Sequence, residues 1–114
     1  MATARAMLER RRSSRVSVRI PILVRRRDYG GQPVTTHAEA IGVSRCGALL
    51  RVPFAVNPGA RFELMHAHSL EAREVRVVRV SECRQDGAFE LGVEILYPSR
   101  DFWHVTFPDE SSTN

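Results

Sequence analysis

The chain contains no lysine: all 17 of its basic residues are arginine. It also lacks any apolar run near the roughly 20 residues that a membrane-spanning helix needs. Its opening residues, Met1 to Arg10, show no apolar stretch of the signal-peptide type. No membrane span is expected, and the expected location is the cytoplasm. Only two cysteines occur, Cys46 and Cys83, far apart and without a close-spaced partner. That spacing argues against a disulfide framework and a tetrahedral zinc site, and leaves two small buried or half-buried thiols. A glycine-rich phosphate loop of the P-loop or dinucleotide type is missing. So is a catalytic constellation: Ser44 has no histidine nearby in sequence, and the acids are scattered along solvent faces. His66 and His68 would share one side of a strand. No third metal ligand accompanies them, and an exposed turn is their expected setting. The chain therefore reads as a non-enzyme without cofactor or metal.

The arginines are distributed unevenly. Nine of them (Arg5, Arg10, Arg11, Arg12, Arg15, Arg19, Arg25, Arg26 and Arg27) fall in the first 30 positions against Glu9 and Asp28, a net +7. The remaining eight face eleven acids, a net −3, so the formal total of +4 joins a basic arm to a mildly acidic body. Genome composition explains arginine over lysine but not the clustering. The guanidinium is a planar fork of donors that matches phosphate and guanine edges and stacks on bases. The arm is thus the expected ligand-contacting part.

At 114 residues the chain has room for one domain. Residues 1–14 lack apolar periodicity and are expected to form a flexible arginine-rich arm, followed by a domain over 15–107 and a polar tail over 108–114. From Val16 the pattern changes to a period of two: Val16, Val18, Ile20, Ile22 and Val24 alternate with Ser17, Arg19, Pro21, Leu23 and Arg25, as in a half-buried strand. Pro21 cannot donate to a ladder, which places this strand at an edge or puts a bulge there. Further strands are expected over about 34–43, 48–52, 61–66, 71–82 and 89–95, separated by turn signals such as Asp28-Tyr-Gly-Gly and Asn57-Pro-Gly. In the fifth, Val75 and Val77 occupy one face and Val78 and Val80 the other, a slip that predicts a bulge or a strand bending between two layers. Six short strands so spaced indicate an all-β closed barrel or compact sandwich. After them, Ser99 could cap a short helical or irregular segment. Four of the eight aromatics, Tyr97, Phe102, Trp103 and Phe107, gather at this end, as a cluster capping the barrel would.

Two segments stand out as ligand-binding candidates. One is Glu9-Arg10-Arg11-Arg12-Ser13-Ser14-Arg15 ahead of the first strand; the other is Ile41-Gly42-Val43-Ser44-Arg45-Cys46-Gly47 at the end of the second. Arginines four apart on a segment that can fold onto a ligand, a hydroxyl at a turn, and a glycine allowing close backbone approach suit a doubly charged, guanine-bearing molecule.

On these residues the chain resembles the PilZ domain, the six-stranded bacterial β-barrel that receives the second messenger cyclic di-GMP. The Arg-x-x-x-Arg motif is matched by Arg11 and Arg15, and Asp/Asn-x-Ser-x-x-Gly by Ser44 and Gly47, over about residues 9–97. Gly47-Ala-Leu-Leu50, Pro58-Gly59, Val75-Arg-Val-Val78 and Leu91-Gly-Val-Glu94 are also similar to the family. The resemblance implies a small six-stranded antiparallel barrel and cyclic di-GMP as ligand. It assigns ligand contacts to Arg11, Arg15, Ser44 and Gly47, with Arg12 and Arg45 beside them, and an unidentified protein downstream. One position departs from the family pattern. Gly42 stands where the family has Asp or Asn, whose side chain hydrogen-bonds the guanine edge. The expected function is therefore a non-catalytic cyclic di-GMP receptor with weakened binding. The alternative is a protein-interaction module that no longer binds the nucleotide. Nonspecific nucleic-acid binding by the arm is the weaker third reading, because the strands lack interleaved aromatic and basic residues for base stacking.

Overall fold

The computed structural model describes residues 15–83, 87–98, 102–105 and 107. Six strands follow one another: β1 (Val16–Arg27), β2 (Pro33–Val43), β3 (Gly47–Val52), β4 (Arg61–His66), β5 (Ala72–Cys83) and β6 (Ala88–Ile95). All pairings are antiparallel, and the order β1-β2-β3-β6-β5-β4 closes into a barrel when β4 meets β1. Closure removes the edges that an open sheet would leave unpaired. No helix occurs among the described residues. The arm over 1–14, Ser99 and the tail over 108–114 lie outside them.

The period of two becomes the inside of the barrel. On β1, Ile22 and Val24 are fully buried, and Val16, Val18 and Ile20 pack against the same core half-buried. On β6, Leu91, Val93 and Ile95 point inward. They meet Leu50 and Val52 of β3, Phe62 and Leu64 of β4, and Val75 and Val77 of β5 in one cluster. Burying each such side chain contributes about 1.5–3 kcal/mol, which is what holds a β-fold of this size against its chain entropy. Of the four C-terminal aromatics, Phe102, Trp103 and Phe107 join this core, whereas Tyr97 is 76% exposed.

Three ladders carry an extra residue. Ser17 pairs with Gly42 but Ile20 with Ala40, so β1 bulges between them. Ala40 pairs with Leu50 and Gly42 with Leu49, which leaves Ile41 as the extra residue of β2. Val77 pairs with Val93 and Arg79 with Gly92, which leaves Val78 over. The slip in β5 is thus a bulge, but Val78 does not share a face with Val80. Val78 is 54% exposed, and Val80 packs back on the core because the extra residue restores the inward phase. Pro21 also departs from expectation. It pairs in register with Glu39, its strand is not an edge, and the bulge precedes it. The ladder to β4 begins only at Ile22, so the missing donor falls at the end of that ladder and not within it.

His66 is a further correction. It closes β4 as a buried side chain, 5% exposed, and only His68 occupies the exposed turn. Its Nδ1 accepts from the backbone N–H groups of His68 (3.2 Å) and Ser69 (3.5 Å), which fixes the turn into β5. The rings of His68, Phe102 and His104 surround it. Burial lowers its pKa below the usual 6.5, and the neighbouring His104 and His68 lower it further; a backbone hydrogen bond with Trp103 and the Glu71 carboxylate act in the opposite direction. A histidine lowered in the folded state stabilises the fold while neutral. That contribution is complete above 6.5 and is lost as pH falls from there through the lowered folded value. Thermal stability followed by the fluorescence of the single tryptophan, Trp103, is expected to decline between neutrality and about pH 5, above the range where ordinary carboxylates titrate. A flat profile across that interval would contradict this role for His66.

Candidate functional site

Between β2 and β3 the chain reverses over Ser44, Arg45 and Cys46. The backbone N–H of Ser44 donates to the Gly47 carbonyl at 2.9 Å, closing the turn. The Ser44 hydroxyl reaches the same carbonyl only at 3.4 Å, a weak bond that leaves it available to a ligand. The Cys46 carbonyl accepts from the N–H of Ile95 at 2.8 Å and so anchors the turn to β6. Gly47 is required here for space and not for a left-handed φ, since the positive-φ glycines are Gly31, Gly59 and Gly87. A Cβ on Gly47 would lie 2.5 Å from the Val93 carbonyl oxygen of the facing strand. At Gly42, by contrast, a Cβ would meet Leu49 Cβ at 3.7 Å and the Val16 carbonyl oxygen at 4.0 Å, ordinary contacts that admit a side chain.

The turn forms one wall of a cavity of about 480 Å³, within the ~300–1,000 Å³ typical of small-molecule sites. Arg15, just ahead of β1, borders it together with Gly42, Ser44 and Gly47. Opposite chemistry is absent: no carboxylate is found among the described lining residues. All three bulges reach this cavity, through Ser17 on β1, Ile41 on β2 and Val78 on β5. A bulge twists its strand and re-aims the following side chain. On β5 that side chain is Arg79, which lies across Gly92 of β6. A Cβ on Gly92 would touch Arg79 Cβ at 3.5 Å and its Nε at 3.7 Å, so the missing side chain makes room for the arginine stem. Two guanidinium groups, a hydroxyl and exposed backbone around a carboxylate-free cavity favour an anionic ligand with planar groups.

Of the residues singled out in the sequence, the fold brings Arg15, Ser44 and Gly47 together at one cavity. Arg45 is exposed on the turn and does not line it. Arg11 and Arg12 lie outside the described residues. Sequence reasoning missed Arg79. The signal was present in the one-residue slip at Val77 and Val78, but a slip marks a bulge without telling which cavity it borders.

A family model, PilZ domain, matches residues 9–103. No curated protein matches the chain in sequence. Among solved structures, the chain is similar to the PilZ domain with c-di-GMP of YcgR from Escherichia coli, at 16% identity and a TM-score of 0.59, over 82% of each chain. It is similar to the Bacillus subtilis inhibitor of motility MotI/DgrA at 12% identity and a TM-score of 0.60, over 78% of this chain and 44% of that one. The K. pneumonia MrkH–c-di-GMP complex matches at 16% identity and a TM-score of 0.58, over 76% of this chain and 44% of the other. The present chain thus spans less than half the length of the latter two. At such identities the likeness is one of fold. The family model covers most of the chain, from the arginine motif through all six strands to Trp103, and on that match the chain belongs to the PilZ domain family.

Proposed function

We propose that this domain is a non-catalytic receptor for cyclic di-GMP, acting in the bacterial cytoplasm. The observation that carries the reading is the convergence of Arg15, Ser44 and Gly47 on one cavity, although they lie on separate stretches of the chain. Arg15 and Arg79 offer forks to phosphates and flat faces to guanines, while Ser44 and the backbone at Gly47 form the floor. Arg11, Arg12 and the rest of the arm would close over the bound nucleotide, and Arg45 would remain at the rim. The family structures with c-di-GMP bound support the ligand class. A change in the arm's position on binding would then expose or cover a surface for a downstream protein, through the differential affinity of the ligand for the two arrangements.

Gly42 leaves one guanine donor without its partner, which favours weak wild-type binding and keeps the partner-only reading in play. Calorimetric titration with cyclic di-GMP of the wild type and of Gly42→Asp separates the two. The space around Gly42 admits aspartate, and its φ is not positive. The variant is expected to bind roughly tenfold more tightly, the equivalent of about 1.4 kcal/mol for one regained hydrogen bond. Binding in the variant alone would indicate a site lost through this position and a domain that now works through protein contacts. Binding in neither protein, with both folded, would refute the receptor reading.

A further inference from the structure

A second groove of about 480 Å³ runs beside the turn that His66 holds, and it shares no lining residue with the cavity at Gly47. Apart from His66, whose Nδ1 accepts from the turn, its polar side chains are donors or can act as donors: Arg19 at the bulge of β1, His68 and Ser69 on the β4–β5 turn, and His104 on the C-terminal segment. Ile20, Pro21 and Val105 supply an apolar wall. No carboxylate appears among the described lining residues. Glu71 stands nearby but is engaged by His104 Nε2 at 3.2 Å and lies 3.8 Å from Arg73.

Two observations mark this groove as more than a surface crease. Trp103, which also borders it, is 3% exposed, and its indole N–H is enclosed without a hydrogen-bond partner. A buried donor left unpaired costs about 1–3 kcal/mol, and such groups are rare in folded proteins. In addition, the two non-glycine residues with positive φ among the described residues, Leu70 at 63° and His104 at 59°, both flank this turn and segment. Leucine and histidine in that region are strained, and strain of this kind collects at ligand clamps and switch regions. At His104 the imidazole stands against His66, 5.3 Å between ring centroids.

We propose that this groove is a second ligand site, for a small organic carboxylate with an apolar body, distinct from the nucleotide cavity. The carboxylate would sit between Arg19, an imidazole N–H of His68 and the Ser69 hydroxyl, and its body would lie against Ile20, Pro21 and Val105, beside the enclosed indole of Trp103. A pocket of this volume with a few convergent donors on an apolar wall suits a small organic ligand.

Benzoate serves as the probe, with benzyl alcohol as its neutral counterpart. The chain has one tryptophan, so a nitrogen-15 NMR spectrum contains one indole N–H signal, a reporter inside the proposed site. Benzoate is expected to shift that signal saturably, with a Kd on the order of 1 mM. Benzyl alcohol and the R19Q variant should each show at least tenfold weaker binding. R61Q makes the same charge change on β4 at Arg61, which lies against Glu74 and outside the groove; it should bind benzoate as the wild type does. An indole signal that does not saturate, equal affinity for the alcohol, or equal losses in R19Q and R61Q would each overturn the proposal.

Discussion

Arg15→Ala is expected to weaken cyclic di-GMP binding roughly hundredfold, about 3 kcal/mol, while leaving the barrel folded. Arg15 is exposed, precedes β1 and contributes nothing to the core, so its loss should register in affinity and not in melting temperature. Two terms add. A bidentate guanidinium–phosphate contact is charge-assisted, and a guanidinium stacked on guanine contributes a further cation–π share. Arg11→Ala should behave similarly if the two arginines act as a clamp. Arg5→Ala, outside the motif, should change little. Titration calorimetry of the three variants checks this. Equal losses at all three positions, with affinity falling steeply with salt for any polyanion, would instead identify diffuse electrostatics and a nucleic-acid-binding arm.

Gly47→Ala should disturb both stability and binding. The added Cβ would sit 2.5 Å from the Val93 carbonyl oxygen, and that oxygen belongs to the backbone of β6, which cannot swing aside as a side chain can. Relief requires β3 and β6 to separate at the pairs Gly47–Glu94 and Ala48–Val93. Overpacking against backbone at this distance costs about 3 kcal/mol, lowering the Tm by roughly 10–20 °C for a domain of this size. Because the Ser44–Gly47 turn is anchored to β6 through Cys46 and Ile95, the same shift would move the floor of the cavity proposed to hold the nucleotide. Calorimetric melting and a ligand titration on the same sample measure the two effects. Wild-type stability in this variant would mean that the strands are not held as closely as the structure places them. Gly42→Ala is the contrasting case: its Cβ meets only ordinary contacts, so its melting temperature should change little.

The strand pattern was legible in the sequence because alternation reports a physical period. Val16 to Val24 and Phe89 to Ile95 could bury one face only as strands, and both segments do so. The arginine motif, the Ser44–Gly47 turn and the vacancy at Gly42 were equally readable, since residue type and spacing along the chain define them. Other features depended on what lies across the barrel. Pro21 looked like an edge or bulge residue, because a sequence does not show that β4 begins pairing one position later. His66 read as an exposed turn histidine; Phe102 and His104 pack against its ring, and burial together with His104 and His68 lowers its pKa. Arg79 carried no signal of its own among 17 arginines. The Val78 bulge aims it across Gly92 into the cavity shared with Arg15 and Ser44, where the sheet order brings β1, β2, β3, β6 and β5 together. Local periodicity and motif spacing thus determined the strands and named Arg15, Ser44 and Gly47, which line one candidate cavity. The tertiary structure decided burial, close approach and the far wall, because those quantities depend on residues distant in sequence.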